Sequence, residues 1–160
     1  MIVYHGGTAI VEKPIAAAGR EHLDFGRGFY VTDTQAQARL WAERMQRIRE
    51  EKGIVNVYEL DLDKVKSTFS YYRFEQYDNE WLQFIVANRM GRDDIIRYDV
   101  IEGGVANDRV IDTIEAYMSN MMSLENALRE LSKYRPNNQL CITSQAVIDD
   151  CLKYIESYNI

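Results

Sequence analysis

Hydrophobic and polar residues follow each other in short runs along the chain, and most runs predict a strand. Ile2-Val3-Tyr4 is a β-prone run that stops at Gly6-Gly7. The stretch Asp24–Thr32 is a glycine-punctuated turn that leads into a short aromatic strand with Tyr30 near its middle. Residues 54–62 alternate strictly enough for a half-buried strand. Further strands are predicted at residues 69–74, 98–102 and 140–143, and we expect the last of these to be the last core strand.

Apolar residues spaced three to five positions apart predict helices between these strands. From Thr34 to Lys52 they form one stripe, which we expect to face the core: Ala36, Leu40, Trp41, Met45 and Ile48. Other helices are predicted at residues 78–91, 110–117, 124–131 and 146–152. Short strands interleaved irregularly with helices argue against a doubly wound parallel sheet. The pattern therefore predicts a mixed α+β fold, in a single domain over residues 1–160.

The composition narrows the class of protein further. Of 160 residues, 46% are hydrophobic and 28% charged, which excludes collagen-like and largely disordered chains. The N-terminus lacks the pattern of a signal peptide, and no apolar run approaches membrane-spanning length, so we expect a cytoplasmic protein that does not associate with membranes. Cys141 and Cys151 lack zinc-site spacing. We expect buried, reduced thiols and no metal site.

The charge is distributed unevenly along the chain. The net charge of −6 argues against a protein that mainly grips nucleic acid through its phosphates. Residues 1–52 carry a net charge of +1, and the remaining residues carry −7. An anionic small ligand would therefore meet less repulsion near the N-terminal third of the chain.

Two segments near the N-terminus combine glycines with a side chain that could bind a ligand. His5 precedes two glycines, which allow a ligand to approach the backbone closely, whereas His22 is interpreted as an ordinary loop histidine. The run Asp24–Tyr30 lacks the lysine of a P-loop and the full glycine pattern of a dinucleotide-binding loop. Its Tyr30 ring could stack on a heteroaromatic ligand. Alternatively, Phe29 and Tyr30 are ordinary core and surface positions of a strand.

Together these segments resemble a known fold. Tyr4-His5-Gly6 followed by Gly28–Thr32 resembles the opening of the ADP-ribosyltransferase fold in its His-Tyr-Glu branch, which contains diphtheria-type toxins and poly(ADP-ribose) polymerases. With the later segments, the chain is similar over nearly its whole length to a bacterial domain-of-unknown-function family assigned to that fold. These later segments are 81–89, 98–101, 105–108 and Asn138-Gln139.

The resemblance implies a split mixed and antiparallel β core, flanked by helices, that binds NAD. His5 would donate to a ribose 2′-hydroxyl, the backbone of Gly6 would hold the carboxamide, and Tyr30 would stack on the nicotinamide ring. Arg20 or Arg27 would face the diphosphate, or would be an ordinary solvated arginine. Thr32 completes the cofactor-binding set.

The third motif departs from the family pattern, because Gln139 stands where the family has its catalytic glutamate. Cleavage of the nicotinamide–ribose bond develops positive charge, which a carboxylate stabilises and a glutamine does not. Asp108 is the preferred compensating carboxylate, since its segment follows two glycines, as cleft-lining loops often do. The alternative is that Asp108 caps the helix beginning near Val110.

The resemblance therefore predicts NAD-dependent mono-ADP-ribosylation as the function. The protein would be a glycosyltransferase of the pentosyl type, toxin-like, that transfers ADP-ribose to an unidentified protein or nucleic-acid acceptor and has a neutralising partner protein. Two alternatives stay open. One is a catalytically weak or inactive pseudo-enzyme that binds NAD, ADP-ribose or a protein. The other is an interaction domain without a nucleotide site.

Overall fold

The computed structural model describes all 160 residues and contains seven strands and six α-helices. In chain order these are β1 (Ile2–Gly7), β2 (Phe29–Val31), α1 (Gln35–Arg49), β3 (Ile54–Leu60), α2 (Leu62–Thr68), β4 (Tyr71–Arg73), α3 (Asn79–Arg89), β5 (Val100–Gly103), α4 (Asp108–Met118), α5 (Leu124–Leu131), β6 (Gln139–Ile142), α6 (Gln145–Cys151) and β7 (Leu152–Asn159). A short 3-10 helix spans Ala16–Ala18.

The strands form two sheets that meet at β1 and β2. The first sheet is antiparallel with the order β1-β3-β7, and the second is mixed with the order β2-β6-β5-β4, in which only β4 and β5 run parallel. Tyr4 and Thr32 join the sheets through two backbone hydrogen bonds of 2.8 and 2.9 Å. Two sheets flanked by six helices confirm the predicted α+β class.

The buried side chains form three groups: one shared by the two sheets, one on the far face of the second sheet, and one between α1 and the first sheet. Residues of both sheets pack together with α2 and α6, and Leu60, Leu140 and Val147 are fully buried there. On the opposite face of the second sheet, helices α3, α4 and α5 contribute buried side chains, among them Trp81 and Ile114. The third group lies between α1 and the first sheet. The second sheet is thus covered on both faces.

Helix α1 buries a different face from the predicted one. Ala38 and Ala42 are buried, whereas Leu40 and Trp41 are exposed, so the predicted apolar stripe was wrong. The physical reason is the close approach of the helix to β1: a Cβ atom on Gly6 would lie 2.0 Å from the carbonyl oxygen of Ala38. Only small side chains fit at such a contact.

Two elements escaped the sequence analysis. Helix α2 (Leu62–Thr68) is capped by Asp61, whose side chain accepts a hydrogen bond from the Lys64 amide. Strand β7 follows α6 without a break, and it pairs with β3 at the edge of the first sheet. Strand β6 is the last strand with buried residues, as predicted, and the edge strand β7 was not predicted. None of the α-helices combines the length and the apolarity needed to cross a bilayer.

Candidate functional site

Three neighbouring strands carry His5, Tyr30 and Gln139. Strand β1 meets β2 at Tyr4 and Thr32, and β2 pairs with β6 through Val31 opposite Leu140. His5 and Gln139 lie 25 and 109 positions from Tyr30 in the chain. The order of the strands brings them to the meeting point of the two sheets. We refer to this place as the sheet junction.

His5 is tied to β2 through one ring nitrogen. Its Nδ1 lies 2.8 Å from the carbonyl oxygen of Tyr30, and because a carbonyl only accepts, Nδ1 carries the proton and donates it. Burial lowers the pKa of His5 below its ordinary value, against the opposing effect of this hydrogen bond. The ring is therefore neutral at pH 7, and Nε2 is an acceptor. This corrects the expected donor role, since a neutral Nε2 would accept a hydrogen bond from a ribose hydroxyl.

Tyr30 is fixed by its hydroxyl group. The hydroxyl donates to the carbonyl oxygen of Gly26 at 2.7 Å and accepts from the amide of Phe25 at 3.0 Å. Desolvation raises the pKa of Tyr30, and the neighbouring Cys141 raises it further. The phenol consequently stays neutral and closes the turn between residues 25 and 30.

The rings of His5 and Tyr30 contact different surroundings. The His5 ring packs on Phe29 at 4.6 Å between centroids, and Phe29 faces the core shared by the two sheets. Because successive strand residues point to opposite faces, the Tyr30 ring lies on the other side of β2, against Phe25. The structure therefore joins His5 to the backbone of Tyr30 and separates their rings.

Gln139 opens β6 opposite Gly103 of β5. Its side-chain amide makes no hydrogen bond within the protein, and the same holds for Nε2 of His5. Since every buried polar side-chain atom has a partner, both groups reach solvent. Thr32 supports the same strand, because its Oγ1 donates to the carbonyl oxygen of Asn138 at 2.8 Å.

Gly6 has a structural reason to be glycine, which is its contact with α1. Next to that contact, Trp41 is 42% exposed, and the Arg44 guanidinium lies 5.4 Å from the centre of its ring. The sequence analysis assigned Trp41 to the core. Trp41 directly precedes Ala42, which packs against Gly6 of β1. The spacing of apolar residues did not predict that Trp41 would be exposed.

Asp108 is not buried in a cleft. Its side chain is 96% exposed, and its Oδ1 lies 4.0 Å from Nη1 of Arg44. The alternative role as a helix cap is wrong, because the side chain of Asn107 accepts the Val110 amide at the start of α4. The contact with Arg44 places Asp108 beside α1.

The two candidate arginines differ in their partners. Arg27 forms an ion pair with Glu21, and both side chains are largely exposed. Arg20 is exposed and makes no side-chain hydrogen bond or ion pair. No hydrogen bond or ion pair joins either arginine to His5, Tyr30 or Gln139.

A buried ion pair that the sequence analysis missed anchors the loop before β2. Arg89 Nε and Nη2 lie 2.8 and 2.7 Å from Oδ1 of Asp24, whose Oδ2 accepts the Ala106 amide at 2.7 Å. Asn88 donates to the carbonyl oxygen of Asp24 at 3.0 Å. Asn88 and Arg89 thus finish α3 and also hold this loop against the segment before α4.

A cavity of about 500 Å³ lies on the α3 side of the second sheet. Its lining includes Phe25, Gly26, Phe84 and Arg97. It contacts the turn that holds the Tyr30 hydroxyl, but His5, Tyr30 and Gln139 do not line it. The three predicted residues therefore lie on neighbouring strands, outside this cavity.

A buried carboxylate also lies close to β6. Glu102 is buried on β5, paired in register with Leu140, and accepts hydrogen bonds from the Tyr71 hydroxyl and from Asn138. The segment 98–102 was predicted as a strand, yet the alternation gave no sign that an acidic residue would point into the protein.

Comparison with known proteins identifies the family. No curated protein and no solved structure matches the chain. Residues 1–154 match the family described as Protein of unknown function (DUF3990). Because the match covers nearly all of the 160 residues, the chain belongs to the DUF3990 family.

Proposed function

We propose that the chain binds NAD at the sheet junction and transfers its ADP-ribose unit to a macromolecular acceptor, as a cytoplasmic ADP-ribosyltransferase. One observation carries the proposal: the register of β1, β2 and β6 brings His5, Tyr30 and Gln139 onto neighbouring strands, with His5 Nδ1 bound to the Tyr30 carbonyl oxygen at 2.8 Å.

Two unused polar groups at this junction fit a ligand rich in hydroxyl groups. Nε2 of His5 is an acceptor that is held in place through the other ring nitrogen, and the amide of Gln139 offers both a donor and an acceptor. The exposed indole of Trp41 and the guanidinium of Arg44 lie on the helix that packs on Gly6. In the proposed complex they would supply an aromatic face and a positive charge for a dinucleotide.

In the proposed reaction, the bond between nicotinamide and ribose breaks, and nicotinamide leaves with the bonding electron pair. Positive charge develops on the ribose until a nucleophile of the acceptor forms the new bond and gives up its proton. Gln139 would orient a ribose hydroxyl in this step without neutralising the charge. The stacking of Tyr30 on the ring stays a prediction, and its bound hydroxyl would limit movement of the phenol.

Isothermal titration calorimetry with NAD tests the proposal. Asparagine at position 5 can still donate to the Tyr30 carbonyl oxygen but has no Nε2, so His5→Asn should weaken NAD binding by about tenfold. His22→Asn is the matched control, because His22 is exposed and asparagine tolerates its φ of 62°. Absence of binding by the natural protein, or equal binding by His5→Asn, would contradict the proposal.

A second candidate function is an NAD- or ADP-ribose-binding protein without turnover. It is favoured by the uncharged Gln139 and by Asp108, whose side chain is almost fully exposed and lies beside Arg44. Incubation with NAD labelled in the nicotinamide ring separates the two candidates. Release of labelled nicotinamide by the purified protein would exclude the binding-only function.

A further inference from the structure

Asn138 lies between two carboxylates. Its Nδ2 is 3.0 Å from Oδ2 of Asp33 and 3.0 Å from Oε1 of Glu102. Because ionised carboxylates only accept hydrogen bonds, the nitrogen of the amide must face both of them, which settles its orientation. Both amide hydrogens are therefore committed to acidic partners.

Glu102 is the buried member of this pair. Its side chain is only 4% exposed, its second oxygen accepts the Tyr71 hydroxyl, and the nearest guanidinium, that of Arg73, is 3.9 Å away. Burying a carboxylate carries a cost that hydrogen bonds must offset. Asn138 supplies one of those hydrogen bonds, so removing either partner would leave the other without it.

The two hydrogen bonds polarise the Asn138 amide. Donation to negative charge draws electron density toward the carbonyl end, which makes Oδ1 a stronger acceptor. Oδ1 itself accepts no hydrogen bond within the protein, and it reaches solvent because no buried polar side-chain atom lacks a partner. The backbone of Asn138 is held by Thr32, so the acceptor is also fixed in position.

We infer that Oδ1 of Asn138 is a further ligand contact, which accepts a hydrogen bond from a ribose hydroxyl of NAD. The inference rests on the proposed function and names a residue of the same site. Partial negative charge on Oδ1 would stabilise positive charge on the ribose as nicotinamide departs. Asp33 and Glu102 are positioning residues that act through the amide.

Three variants measured by NAD calorimetry test this inference. Asn138→Ala should weaken binding by about tenfold, because it removes the acceptor. Glu102→Gln keeps the shape and the acceptor for Asn138 but removes the charge, so it should weaken binding by about threefold. Glu59→Gln, at an exposed position of β3, is the control and should bind as the natural protein does.

A spectroscopic readout separates polarisation from a structural role. The side-chain amide signals of Asn138 are those missing from the ¹H–¹⁵N spectrum of Asn138→Ala. In Glu102→Gln these signals should move upfield, because one charge-assisted hydrogen bond becomes neutral. Unchanged signals, or NAD affinities of Asn138→Ala and Glu102→Gln equal to that of the natural protein, would overturn the inference alone. No binding by the natural protein would overturn the proposed function together with it.

Discussion

The Nδ1 atom of His5 donates a hydrogen bond to the carbonyl oxygen of Tyr30 across the boundary between the two sheets, at 2.8 Å. This contact fixes the tautomer of a histidine whose burial keeps it neutral. It leaves one ring nitrogen free, at the point where β1, β2 and β6 meet. The proposed function and the inference about Asn138 both depend on this junction.

The neutral state of His5 predicts how stability depends on pH. Because burial lowers the folded-state pKa below the ordinary value of 6.5, the unfolded chain takes up this proton first as the pH falls. The stability that neutral His5 contributes to the folded state is complete above about pH 6.5. It is lost as the pH falls toward the folded-state pKa of His5. The melting temperature of the natural protein should therefore drop between about pH 7.5 and about pH 5.5, as measured by scanning calorimetry. His5→Asn should lose part of this drop, whereas a drop equal to that of the natural protein would contradict the assignment.

Tyr30→Phe should destabilise the turn before β2. The substitution leaves the Gly26 carbonyl and the Phe25 amide without their partner, which should cost about 1–3 kcal/mol in the free energy of unfolding by urea. Tyr4→Phe is the matched control, because the Tyr4 hydroxyl makes no hydrogen bond, and it should change stability little. Equal stability of the two variants would show that the Tyr30 hydroxyl does not hold the turn.

Asp24→Asn should loosen the loop that precedes β2. Asp24 and Arg89 are both largely buried, and removing the carboxylate leaves the guanidinium without a counter-charge. We expect a loss of about 2–4 kcal/mol in the free energy of unfolding. The exposed pair of Arg92 and Asp94 gives the comparison, and Asp94→Asn should unfold at nearly the same urea concentration as the natural protein. A similarly small effect of Asp24→Asn would contradict this role.

Gln139→Glu should increase turnover. A carboxylate at this position adds the negative charge that favours departure of nicotinamide, and one well-placed electrostatic group is worth about 10²-fold in rate. Chromatographic measurement of nicotinamide release checks this expectation. Gln76→Glu, at an exposed loop position, should leave the rate unchanged and controls for added charge. A Gln139→Glu rate no higher than that of the natural protein would exclude Gln139 from the catalytic position.

The fold class and most elements could be predicted, because alternation and helix caps are local signals. The predicted helices α3 and α5 begin at the caps Asp78 and Ser123, and Tyr30 lies in the middle of a three-residue strand. Strand β7 escaped prediction because its formation depends on pairing with β3. The buried face of α1 escaped as well, because the contact between Gly6 and Ala38 is tertiary.

Sequence features predicted His5, Tyr30 and Gln139 as members of the candidate site, but not the side chains that hold its neighbours in place. His5 and Tyr30 stand beside glycines, which mark turns and close contacts in the sequence itself. Asn138 and Glu102 gave no such signal, because their link joins β5 and β6 across 36 residues. The bond between Asp24 and Arg89, 65 residues apart, was hidden for the same reason.

Binding of NAD at the sheet junction should shift backbone amide signals in ¹H–¹⁵N spectra during a titration with NAD. The largest changes should fall on residues 5–8, 30–33 and 138–139. Changes confined to the cavity lined by Phe25, Phe84 and Arg97, or no saturable change at all, would contradict it.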